Sequence, residues 1–315
     1  MQSRRQVLTA GAALAATLSL PTHARIKNMT TTDVYKTESA TRFLEVQGRK
    51  IAYRVTGTGQ PIVLCHRFRG VLGLWDPAFI ESLAKEGFQV ITFDYSGIGL
   101  SSGERSYNPI AMLKDVKDLV EGLNLKDIII AGWSIGGIVA QIYTAMFSHN
   151  VSHAVLLATT PPGRLTKEAE QLFYDAASKP GIDLDNFTTI FFEPTDKNSR
   201  AASERSFTRI MGQKIPRSPD VDAAWAISQI GTTPRNPVFP AEEVLNFLKT
   251  TTIPVLHIGA DHDIIFPVEN WYALNQQLPT LNLITYPKAG HGPHHQHPEM
   301  AASHISAFIK GTKKV

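Results

Sequence analysis

The chain has 315 residues, 43 % apolar and 19 % charged, enough for one well-cored domain with an insertion and unlike a disordered polypeptide. Its formal net charge of +3 is small, and no basic stripe interleaved with aromatics is present, so nothing points to nucleic acid as a partner. One cysteine, Cys65, excludes an intramolecular disulfide; within Pro61-Ile62-Val63-Leu64-Cys65 it reads as a small buried hydrophobe.

At the N-terminus, Arg4 and Arg5 precede an apolar stretch from Val7 to Leu20, followed by Pro21-Thr22-His23-Ala24. That is the order of a secretory signal with a small-x-small ending, too short for a stable membrane anchor. The arginine pair resembles a Tat signal, with a Sec signal or an uncleaved amphipathic start as alternatives. Residues 1–24 are therefore read as a Tat-like signal peptide and 25–40 as a polar linker, which implies a bacterial periplasmic or secreted protein. No later stretch approaches ~20 apolar residues, so no stable membrane insertion is expected once the signal is removed. The three lysines between 310 and 314 read as a solvated tail.

From residue 41 onward short β-rich runs alternate with helical ones. Runs 43–46 and 51–55 around Gly48 predict a hairpin. Strands are expected at 62–65, 90–93, 128–131 and 154–157, with helices at 75–86, 109–123 and 137–147. The strands are apolar on both faces, the pattern of a mostly parallel central sheet with helices on both faces, an α/β fold. The alternation stops between 161 and 240, where amphipathic stretches such as 167–177 and 220–230 occur without strand-like runs. It resumes with helix 241–249, strand 255–258, helix 268–277, strand 283–286 and helix 299–310. Residues 41–160 and 241–315 thus read as one core, and 161–240 as an inserted helical cap.

Gly132-Trp133-Ser134-Ile135-Gly136-Gly137 follows the apolar run Ile128-Ile129-Ile130 and precedes a helix, the setting that a strained nucleophile turn requires. A serine there needs small neighbours two positions away on each side, supplied by Gly132 and Gly136, while Gly137 lets the helix approach the sheet. A serine hydroxyl needs a base to take its proton. His291, between Gly290 and Gly292 after the last predicted strand, is the candidate. The neighbouring His294, His295 and His297 lack a carboxylate or cysteine at ligand spacing, so no metal is expected. A carboxylate must orient the imidazole. Asp263 is preferred, with Asp261 the alternate. The backbone N–H of Ile135 is a candidate oxyanion donor, with the second donor expected from the His66-Arg67-Phe68-Arg69-Gly70 loop. Asp94-Tyr95-Ser96-Gly97-Ile98-Gly99 lacks the third glycine of a nucleotide loop and reads as a turn at the site's rim. No cofactor is expected.

The order Ser134, Asp263, His291, with the 66–70 and 94–101 loops, resembles the α/β-hydrolase superfamily across residues 42–310. Within it the chain is most similar to the capped serine esterase, lactonase and cofactor-free haloperoxidase-like group. The resemblance makes Phe68 N–H the second oxyanion donor. It also exposes two departures: Arg67 stands where the group usually has glycine, and Ser96 where it commonly has arginine. A serine nucleophile argues against the haloalkane dehalogenases and epoxide hydrolases. The expected activity is cleavage of small to medium, fairly hydrophobic carboxylic esters or lactones, with Phe173, Phe187, Phe191, Phe192 and Trp225 lining a mostly apolar pocket. A carbon–carbon bond hydrolase and a perhydrolase or haloperoxidase would use the same triad. A ligand-binding receptor is the non-enzymatic alternative, and the oligomeric state is left open.

Overall fold

The computed structural model describes residues 39–234 and 242–312. The Tat-like signal, most of the expected linker and the last residues of the lysine tail lie outside the described residues.

The strands are β1 (Arg42–Val46), β2 (Arg49–Thr56), β3 (Gln60–Cys65), β4 (Phe88–Phe93), β5 (Ile128–Trp133), β6 (Val151–Leu157), β7 (Val255–Ala260) and β8 (Leu281–Tyr286). They form one sheet in the order β1-β2-β4-β3-β5-β6-β7-β8. β1–β2 and β2–β4 pair antiparallel, and every later pair is parallel. All residues of β5, β6 and β7 are buried, so both faces of the central strands are covered, which explains their unbroken apolar runs. β1 and β8 sit at the two edges and are only partly buried.

The covering helices are α1 (Pro77–Lys85), α2 (Pro109–Gly122), α3 (Ile135–Met146), α8 (Glu242–Thr250) and α11 (Pro298–Gly311). α1 packs against α11, and α2 and α8 pack against α3. Between β6 and α8 come α4 (Gln171–Ala177), α5 (Leu184–Phe191), α6 (Lys197–Met211) and α7 (Ala223–Ile230), with no strand among the described residues. Two short helices complete the chain, α9 (Glu269–Tyr272) and α10 (Pro293–Gln296).

The departures from expectation have local causes. The first helix begins at Pro77, after Trp75, because the Asp76 carboxylate accepts Ala78 N–H at 2.9 Å and Pro77 occupies the first helical position. The helix expected over 268–277 is helical only at 269–272; turns follow, and Gln276 takes a left-handed backbone with φ 67°.

Candidate active site

Ser134 lies on the sharp turn from β5 into α3, with φ 60° and ψ −127°, a conformation that costs a non-glycine residue free energy. Its surroundings enforce that geometry. Ser134 N–H donates to Leu157 O at 3.0 Å, and Ser134 O accepts from Gly137 N–H at 2.9 Å and from the Thr159 hydroxyl at 2.6 Å. A Cβ on Gly132 would lie 2.1 Å from Gly136 O, and one on Gly136 2.2 Å from Cys65 O, so neither position tolerates a side chain. Gly137 lies directly against Thr159, as a close helix–sheet approach requires. Cys65 is packed under this turn, where burial pushes its thiol up to about 12 and leaves it an inert filler.

The loop after β7 brings Asp263, not Asp261, to His291. His291 Nδ1 is 2.8 Å from Asp263 Oδ2 and 3.0 Å from Oδ1. Asp263 Oδ1 also accepts the amides of Ile265 at 2.8 Å and Phe266 at 3.0 Å, which fixes the carboxylate. Asp261 is exposed and instead lies 2.6 Å from His262 Nδ1. With Nδ1 facing a carboxylate, the proton belongs there, and Nε2 is left as the acceptor. That Nε2 is buried and has no hydrogen-bond partner among the described residues. The His291 carbonyl is held by the Trp133 indole N–H at 2.7 Å, so the residue before the serine also positions the histidine loop. This tie spans 158 residues and left no local signal in the sequence.

Ser134 and His291 open on one cavity of about 50 Å³. Phe68 is on its wall, and Ile135 N–H is the first amide of α3, a donor that has no intrahelical acceptor. The 66–70 loop is braced by Arg67 N–H to His66 Nδ1 at 2.8 Å and Gly70 N–H to Arg67 O at 2.9 Å. Asp94, in the turn after β4, accepts Leu72 N–H at 2.7 Å, Leu100 N–H at 2.9 Å and the Ser218 hydroxyl at 2.7 Å. It therefore ties that turn to the continuation of the 66–70 loop and to the segment before α7. Burial raises the Asp94 carboxyl above its usual range, against those donors.

Of the five aromatic residues expected to line the pocket, Phe173 and Phe191 do so. Phe187 and Phe192 are buried against neighbouring rings, and Trp225 lies against Tyr107 and under the Arg105 guanidinium. The rest of the apolar wall includes Leu74, Ile182, Ile190, Val221 and Ile265. Three charged residues also face the cavity, Arg67, Arg69 and Asp220. His294 and His295 are fully buried among Trp75, Phe79 and Trp133, where desolvation pulls both well below the usual histidine range and keeps them neutral. The departure at Ser96 is also filled: Arg49 Nε donates to Ser96 Oγ at 2.8 Å, and its Nη2 pairs with Asp115 at 2.9 Å.

The family model described as alpha/beta hydrolase fold matches residues 60–298. A Mycobacterium tuberculosis protein carrying the name "Putative non-heme bromoperoxidase BpoC" is 27 % identical over 270 residues, covering 84 % of this chain and 98 % of its own. Among solved structures, an alpha/beta hydrolase fold protein from Chitinophaga pinensis has a TM-score of 0.73 at 27 % identity, covering 87 % of this chain and 98 % of its own. An esterase from Rhodococcus sp. ECU1013 shares the fold, with a TM-score of 0.65, 22 % identity and coverage of 86 % and 98 %.

Proposed function

The chain belongs to the alpha/beta hydrolase fold family, and from that premise we propose that it is a serine hydrolase cleaving small carboxylic esters or lactones. The observation that carries this reading is the buried, unpartnered His291 Nε2, with Asp263 on the opposite ring nitrogen and Ser134 on the same cavity. In the proposed cycle His291 Nε2 takes the Ser134 proton as the oxygen attacks the carbonyl carbon. The negative charge that develops on the carbonyl oxygen is met by the amides of Phe68 and Ile135. His291 then gives its proton to the leaving alkoxide. In the second half it takes a proton from water, the resulting hydroxide attacks the acyl-enzyme, and Ser134 recovers its proton as the acid departs. Asp263 holds the ring orientation and stabilises the imidazolium throughout.

The cavity's apolar wall suits a short acyl or alkoxy group, and residues 161–240 serve in this reading as the cap that shapes it. Residues 1–24 would export the protein through the Tat route; replacing both Arg4 and Arg5 by lysine should abolish periplasmic accumulation. The test of the chemistry is turnover of p-nitrophenyl esters of graded length by the mature protein beside Ser134→Ala. A loss of at least about 10⁴-fold in the variant is expected; retained turnover would end the assignment. Perhydrolysis is a second reading, favoured by the relative named a bromoperoxidase. Peroxide would replace water in the second half of the same cycle, and adding it with a carboxylic acid should then yield peracid.

A further inference from the structure

Arg67 stands in an unusual place for a cation. It is 6 % exposed, yet it faces the cavity that holds Ser134 and His291. Its side chain makes one hydrogen bond among the described residues, from Nη1 to Phe68 O at 2.8 Å, while Nε is buried with no acceptor. No carboxylate among the described residues forms an ion pair with it. The acidic residue on the same wall, Asp220, is bound instead to Arg217 at 3.0 Å. The guanidinium lies over two ring faces, Phe191 at 4.5 Å and Trp133 at 5.1 Å from the centroids. Such faces support a cation while leaving the in-plane N–H edge unused.

Arg69 adds positive potential, and Asp220, itself held by Arg217, offsets part of it. Arg69 faces the same cavity, with Nη1 donating to the carbonyls of Ala177 and Lys179, both at 2.9 Å, and Nη2 to that of Gly181 at 3.5 Å. The imidazoles packed behind Arg67, those of His66, His294 and His295, are held neutral by burial and offer no negative charge. A buried cation with a free N–H is costly unless an anion completes its bonds, and a planar fork matches a carboxylate.

We propose that the Arg67 guanidinium binds a carboxylate of the substrate, so that the preferred substrates are small esters or lactones carrying a carboxylate a few bonds from the carbonyl that Ser134 attacks. This rests on the serine hydrolase reading and narrows it. The short separation follows from Arg67, Ser134 and His291 lining the same small cavity.

The experiment compares monomethyl succinate with methyl succinamate, its uncharged amide counterpart, by methanol release from wild type, Arg67→Met and Arg67→Lys. Wild type should favour the anion by at least about 10-fold in kcat/KM, and Arg67→Met should remove that preference, chiefly through KM. Arg67→Lys, which keeps the charge without the fork, should retain part of it. Using the ratio of two substrates cancels any general damage to the 66–70 loop. Two further measurements separate this proposal from the one beneath it. Labelling of Ser134 by a fluorophosphonate probe reports the nucleophile alone. Calorimetric binding of the two ligands to Ser134→Ala, with and without Arg67→Met, reports carboxylate recognition without turnover. Preferential binding of the anion that disappears in Arg67→Met upholds carboxylate recognition by Arg67, and absent labelling would then count against the serine hydrolase reading alone. Equal affinity for the two ligands, or a preference that survives Arg67→Met, overturns it even if Ser134 is labelled.

Discussion

The two walls of the cavity are built by opposite means. The sheet wall is made by short-range backbone geometry: β5, the turn at Ser134 and the first turn of α3 are consecutive in sequence, and the close contacts at Gly132 and Gly136 are with backbone. The helical wall, from α4 to α7, packs apolar residues into the core and is also tied to it by side-chain bonds between distant residues. Arg209 in α6 grips Asp76 at 2.6 and 2.8 Å across 133 positions, and Ser218 reaches Asp94 across 124. The first arrangement holds Ser134 through close, largely backbone contacts. The second can change its lining residues without disturbing them, which is where a family can vary substrate while keeping chemistry.

The largest expected effect lies on the sheet side. Asp263→Asn should lower kcat by about 10⁴-fold, because an amide leaves the His291 ring with the wrong proton arrangement. Asp261→Asn, two positions earlier and exposed, should change kcat less than about threefold, by analogy with surface positions remote from the chemistry. Steady-state kinetics on any accepted ester decides between them; equal losses would dissolve the distinction between the two carboxylates.

Next comes the tether of the helical wall. Arg209→Met leaves Asp76, which is 0 % exposed, without its partner, and removing one member of a buried pair costs ~3–5 kcal/mol. Urea denaturation should show that loss. An Asp76→Asn, Arg209→Met double variant should recover part of it, since no charge is then stranded. A single variant as stable as wild type would mean that the helices are held chiefly by apolar packing.

A matched pair of glycines sharpens the contrast. Gly136→Ala drives a Cβ to within 2.2 Å of Cys65 O, backbone that cannot swing aside, and displacing the turn by about 1 Å should cost about 10²-fold in Ser134 labelling rate. On the helical wall Gly181 also faces the cavity, but a Cβ there meets nothing within 4 Å. Its φ of +68° makes alanine strained by ~1 kcal/mol, and labelling should stay within about twofold.

How far the sequence alone foretells this molecule follows the same division. The sheet is legible because buried parallel strands must be apolar on both faces, and the turn at Ser134 because Gly132 and Gly136 mark where no side chain fits. His291 is legible, among four close histidines, as the one between glycines after a strand's end. The choice between Asp261 and Asp263 is not settled locally, since both lie in one short loop; it depends on the Ile265 and Phe266 amides and on a histidine 28 residues away. The cavity lining is harder still. Phe173 and Phe187 carry the same pattern of helical apolar spacing, yet only Phe173 reaches the cavity, because helix orientation is set by distant ties. Arg67 reads in sequence as a disturbance of the oxyanion loop. Its significance appears only when Phe191 and Trp133 are brought against it from elsewhere in the chain.

The smallest effect distinguishes the two carboxylates by their consequence for stability. His262 lies against Asp261 at 2.6 Å, with Glu193 3.8 Å from its other ring nitrogen, and these acids, Asp261 first, raise its pKa above the usual 6.5. Asp196 acts in the same direction from farther away. A raised folded pKa means that the folded protein holds the proton more tightly than the unfolded chain. The stabilisation is therefore fully present below about pH 6.5, the unfolded value, and fades as pH rises through the folded one. His262 is 47 % exposed in its side chain, so solvent screens the pair, and the contribution is expected to be a few tenths of a kcal/mol, about that of a surface ion pair. His262→Gln should accordingly lower the denaturation midpoint slightly at pH 5.5 and leave it unchanged at pH 9. A gap that instead widens as pH rises would show that His262 contributes as a neutral ring, and that the exposed acid beside it does no electrostatic work.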